Sequence, residues 1–117
     1  MTPEELKRRT KNFALRVIRL IDALPNTTTA REIGRQLLRS GTSVAANYRS
    51  ACRARTKAEF IAKIGIVIEE ADESAFWLEI IHEGKLLQNA EVESIRQEAE
   101  ALTRIMSKSR DTARKKD

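Results

Sequence analysis

A chain of 117 residues, 41% hydrophobic and 33% charged, is one domain with a modest core and too short for two. Four glycines and two prolines leave little material for the turns of a β-rich fold, and a single cysteine, Cys52, excludes an internal disulfide. The net charge of +5 is uneven: residues 1–57 carry 13 Lys/Arg against 4 Asp/Glu, residues 58–117 carry 9 against 13. A basic half joined to an acidic half points to a partner for one side, to self-association between opposite faces, or to both. No apolar run is long enough for a transmembrane helix and no signal-peptide core follows the charged start, so a cytoplasmic protein without a membrane partner is expected.

The first helix is expected from about Pro3 to Leu24. Proline opens it, Glu4 and Glu5 favour its first turn, and Leu6, Phe13, Val17, Leu20, Ile21 and Leu24 recur at helical spacing. Pro25 and Asn26 stop it. Thr27, Thr28 or Thr29 can cap the second helix, with Glu32 at capping-box distance from Thr29, and the helix is expected to reach about Arg53. Thr56 and Glu59 repeat that signature before a third, most apolar helix, about Lys57 to His82, with Gly84 expected as its left-handed C-terminal residue. The fourth helix is expected from about Ala90 to Ser107. Residues 1–107 then form the folded unit, and the basic tail 108–117 is expected to fray or be disordered. Long amphipathic helices with short joints imply an all-α fold, an antiparallel up-down four-helix bundle.

The second helix carries the main functional signal. At about 100° per residue, Ile33, Leu37, Leu38, Gly41, Val44, Ala45, Tyr48, Ala51 and Cys52 share one side. Arg31, Arg35, Arg39, Arg49 and Arg53 share the other, in a stripe about 80° wide. Guanidinium forks match phosphate oxygens in a bidentate way that ammonium groups cannot. Arg55, Lys57 and Lys63 extend the basic region, and Lys7, Arg8, Arg9, Lys11, Arg16 and Arg19 can add to it from the first helix. With Phe 3, Tyr 1 and Trp 1, base stacking has little to work with, so binding would rest on phosphate contacts and shape. A stripe pairing with acidic protein surfaces is the rival reading.

The third helix has apolar residues to spare. Ile66, Phe76, Trp77 and Ile80 point away from its core stripe and are expected to form an oligomer interface, with Trp77 as anchor. Covering of this patch by the loop around Leu86 and Leu87 is the alternative. Its carboxylates Glu69, Glu70, Asp72, Glu73, Glu79 and Glu83 raise the question of metal. A di-iron bundle needs two Glu-x-x-His pairs, whereas Glu79 and His82 supply one and His82 is the only histidine. Cys52 lies on the apolar side, where a thiol is inert, and no serine has an organised base. Neither a catalytic site nor a cofactor is expected. Gly34 and Gly41, seven apart on the packing side of the second helix, are read as allowing close helix approach.

The run Gln36-Leu37-Leu38-Arg39-Ser40-Gly41-Thr42-Ser43-Val44-Ala45-Ala46-Asn47-Tyr48, followed by Arg53 and Arg55 before Glu59-Phe60, resembles the small bacterial four-helix bundle family of 23S rRNA intervening-sequence proteins, or S23-type proteins. Leu24-Pro25 and the Glu73-Ser74…Glu79 run fit as well, and the resemblance spans about residues 10–105. It implies a ring-like homopentamer, with motif positions Arg39, Ser40, Ser43, Asn47 and Arg55. A related branch, accessory proteins of diversity-generating retroelements, implies basic pentamers that bind nucleic acid and a reverse transcriptase. Many members carry an acidic residue where this chain has Ser50, which leaves this second helix more basic. Together these readings imply a non-catalytic, homo-oligomeric protein that binds nucleic acid, RNA before DNA.

Overall fold

The computed structural model describes residues 1–116 and contains four helices: α1 (Pro3–Asp22), α2 (Thr28–Ala51), α3 (Lys57–Glu83) and α4 (Ala90–Lys115). No strand occurs among the described residues. Each helix packs against its neighbours in the order α1, α2, α3, α4 and back to α1, which makes a four-helix bundle with extents of 50 × 20 × 19 Å. Phe13, Val17, Leu37, Val44, Ile64, Val67, Leu78, Ile95, Leu102 and Met106 fill its axis and are fully buried. Gly41 lets α1 close on α2, since a Cβ there would meet Val17 at 3.0 Å; at Gly34 it would meet Leu24 at 3.2 Å.

The caps follow residue chemistry, with several differences from the sequence reading. Thr2 and Glu5 form a full capping box at the start of α1, and the reciprocal bonds to Thr2 hold the Glu5 carboxyl below its ordinary range. Of the three candidate threonines Thr27 caps α2, accepting from the Ala30 N–H, and Glu32 approaches Arg35 instead of closing a capping box with Thr29. At α3, Thr56 accepts from the Glu59 N–H, while the Glu59 carboxylate turns to the Arg55 N–H. Helices α1 and α2 end one turn or less before the expected Leu24 and Arg53.

The end of α3 differs in kind. Gly84 stays in a right-handed conformation, and the left-handed residue is Lys85, at φ 56°. Lys85 N–H donates to the His82 carbonyl and Leu86 N–H to that of Ile81, which is the bonding of a Schellman motif. Gly84 is needed for another reason: a Cβ there would lie 2.7 Å from the Ile80 carbonyl oxygen. Helix α4 departs most. It continues through the expected tail to Lys115, because Ala113 and Ser109 keep a half-buried stripe running past Met106. Lys116 caps α4, and the last residue of that tail, Asp117, lies outside the described residues.

Candidate nucleic-acid interface

The arginine stripe of α2 divides when the neighbouring helices are in place. Arg39 turns to α3, where its guanidinium donates to both oxygens of Glu70 (2.8 and 3.2 Å) and to Glu73 (2.5 Å). Those bonds hold the Arg39 pKa above its ordinary value. Glu73 also accepts from the Trp77 indole N–H at 3.1 Å, and that bond, then Arg39, holds its carboxyl below the usual range. Arg39 is therefore not the open phosphate ligand expected from the sequence. It stitches α2 to α3.

The other motif positions on this edge are structural too. Ser40 is buried and accepts from the Ser74 hydroxyl at 2.9 Å, joining α2 to α3, and Asn47 donates to the Ser43 carbonyl within α2. Arg55 lies exposed in the joint before α3. Lys57 is tied down, its ammonium donating to the Lys116 carbonyl at the end of α4.

The remaining arginines of the stripe, with Arg53 just past the end of α2, lie on the edge toward α1 in two groups. Arg31 donates to the Asn26 side chain at 2.6 Å and Arg35 lies 3.6 Å from Glu32, both exposed at the end of the bundle where α2 begins. Arg49 and Arg53 occupy the other end. There they share a groove of about 540 Å³ with Lys7, Arg8 and Lys11 of α1, floored by Thr42, Ala45 and Ala46. Lys7 pairs with the one acid of this groove, Glu4, at 3.2 Å. Arg8, Lys11, Arg49 and Arg53 are exposed and have no ion-pair partner among the described residues. Arg9 and Arg16, by contrast, turn to α4 and pair with Glu98 (2.7 Å) and Glu91 (3.0 Å).

The sequence named the α1 cations only as a group; structure selects Arg8 and Lys11. Their signal was helical spacing, since positions 4, 8, 11, 15 and 18 share the outward side of α1. Four unpaired cations across one groove raise the local positive potential, and a polyanion that enters displaces only water and counterions.

Of the expected interface residues on α3, Ile66 and Phe76 are 41% and 49% exposed. Trp77 and Ile80 are half-buried, and Trp77 packs against the core while meeting Phe76 edge to face at 4.9 Å. Leu86 and Leu87 pack on the core and leave Ile66 and Phe76 open. Cys52 is half-buried rather than in the core, beside Tyr48, whose phenol is pushed above its ordinary range by burial and by that thiol. No cluster of metal-ligating side chains occurs among the described residues, and no helix there is long and apolar enough to cross a membrane.

No curated protein matches the chain. A crystal structure of a protein of unknown function from the S23 ribosomal protein family, from Bacteroides thetaiotaomicron VPI-5482, has 31% sequence identity and a TM-score of 0.87, covering 95% of this chain and 99% of that one. The family model for 23S rRNA-intervening sequence proteins matches residues 4–108, so it takes in all of the groove and most of α4. On both grounds the chain belongs to the 23S rRNA-intervening sequence protein family.

Proposed function

We propose that this protein is a non-catalytic, homo-oligomeric, antiparallel up-down bundle that binds structured RNA, or another nucleic acid, through phosphate contacts in the α1–α2 groove. The observation that carries this reading is the convergence of Arg8, Lys11, Arg49 and Arg53, unpaired and exposed, on one groove. The reading keeps Arg49 and Arg53 of the stripe and adds α1, with Arg55 as an outlying contact. The antiparallel order is supported by contacts that run in opposite directions along paired helices: Gly34 with Leu24 and Gly41 with Val17, Arg9 with Glu98 and Arg16 with Glu91. A ring-like homopentamer in the cytoplasm fits the family, and the open Ile66 and Phe76 on α3 are a surface for a second copy.

The double variant Arg49→Glu with Arg53→Glu tests the reading. Both positions are exposed, so the fold should survive, and fluorescence anisotropy against a structured ribosomal RNA fragment and a matched duplex DNA should lose at least tenfold in affinity. Unchanged affinity in the folded variant would rule the groove out. A second reading, an accessory or scaffold subunit for an acidic protein surface such as that of a reverse transcriptase, is favoured by one observation: α2 already pairs Arg39 with two carboxylates of α3. Absence of nucleic-acid binding even at low salt would favour it.

A further inference from the structure

The exposed large hydrophobic residues, apart from Met1, gather on two separate faces: Leu15, Ile18 and Leu38 where α1 meets α2, and Ile66 and Phe76 on α3. We infer that these faces bind each other between neighbouring copies, head to tail, with Phe76, Glu79 and Glu83 of one protomer against Leu38, Arg35 and Arg31 of the next. The assignment rests on the homo-oligomeric reading above and names its contact surface.

Register carries the inference. Ser74 bonds Ser40 and Val17 packs on Gly41, so Phe76, Leu38 and Ile18 stand at nearly one height on the 50 Å axis of the bundle. Three residues further on, in opposite chain directions, come Glu79 and Arg35; seven residues further come Glu83 and Arg31. These four charged residues are all exposed. Each acid of α3 thus has a cation of α2 at its own level, around an apolar pair. Rotation about an axis parallel to the bundle brings one face to the other without changing height. Two different faces meeting without a shift along the axis give a closed ring; a shift would give a filament.

The same register explains why the stripe has two fates. Below Glu69, the exposed residues of α3 are Ile66, Ala62, Glu59, Ala58 and Lys57, and the one carboxylate among them, Glu59, accepts from the Arg55 N–H beyond the level of Arg49 and Arg53. The upper arginines are complemented by a neighbouring copy, whereas Arg49 and Arg53 meet no opposing carboxylate at their level.

Mixing two single variants, Leu38→Glu and Phe76→Glu, tests this, with mass read by light scattering at micromolar concentration. Both sites are exposed, and unchanged helical circular dichroism and melting check the fold. The wild type should be a closed oligomer and each variant monomeric. An equimolar mixture should give a one-to-one dimer and nothing larger, because one copy keeps its α3 face and the other its α1–α2 face. Oligomers persisting in either variant would overturn these faces while leaving the homo-oligomeric reading intact, and a mixture that stays monomeric would overturn the head-to-tail contact. A monomeric wild type would remove the homo-oligomeric reading and this inference with it.

Discussion

Lys85 shows how a single residue absorbs what a turn demands. The Schellman bonds after α3 need a left-handed residue, and a side chain there costs about 1–2 kcal/mol because its Cβ crowds the next carbonyl. Lys85→Gly should therefore raise stability, by about 0.5–1 kcal/mol after the added freedom of the unfolded chain is counted. Gly84→Ala should lower it, since the Cβ would press on the Ile80 carbonyl. Chemical denaturation of the two variants checks both signs. Glycine chemistry at position 84 was legible in the sequence, but one residue out of phase: which of two adjacent residues turns left-handed depends on whether the helix takes one more right-handed residue.

Glu73 couples local chemistry to pH. Its carboxyl titrates lower in the folded protein than in the unfolded chain, because the Trp77 N–H and Arg39 favour the ionised form. The stability it contributes is present above the ordinary glutamate range, near pH 4.3, and is lost as pH falls through the lower folded value. Trp77 is the only tryptophan, so its emission should shift in that acid window, and Glu73→Gln should remove the shift. An unchanged acid profile in that variant would assign the transition elsewhere.

Between elements, two glycines make opposite predictions. Gly41→Ala adds a methyl at 3.0–3.3 Å from three atoms of fully buried, β-branched Val17, which has little freedom to yield. Overpacking of about 1–3 kcal/mol should exceed the gain in helix propensity of about 1 kcal/mol. Gly65, inside α3, has nothing within 4 Å of an added Cβ, so Gly65→Ala should stabilise by about 1 kcal/mol. Thermal melting of the pair separates propensity from packing. At this scale much was legible: four helices, their joints and the close approach at Gly34 and Gly41 all follow from spacing and caps. The continuation of α4 to Lys115 was not, because Arg114, Lys115 and Lys116 read as a solvated tail by composition. Only the neighbouring helix starts, with Lys57 bonding the Lys116 carbonyl, give that turn something to hold.

For the whole molecule, the linear division into a basic and an acidic half becomes a division by edge. Helical angle grouped five arginines of α2, but angle on one helix does not say which neighbour each side chain meets. Arg39 sits at the far side of that stripe and falls to Glu70 and Glu73, while Arg49 and Arg53 fall to the α1 groove. The motif residues Arg39, Ser40 and Asn47 likewise hold α2 to α3 or bond within α2, which the sequence pattern alone does not distinguish from ligand binding. The groove needed two helices in register to be visible.

Its most direct test is the salt dependence of RNA binding. Each phosphate contact contributes a slope of about −0.7 to −0.9 in log affinity against log salt. If Arg49 and Arg53 each hold a phosphate, Arg49→Ala with Arg53→Ala should flatten the wild-type slope by about 1.4–1.8, while Arg39→Ala should leave it unchanged. An unaltered slope in the groove variant, or an equal loss on removing Arg39, would contradict the account.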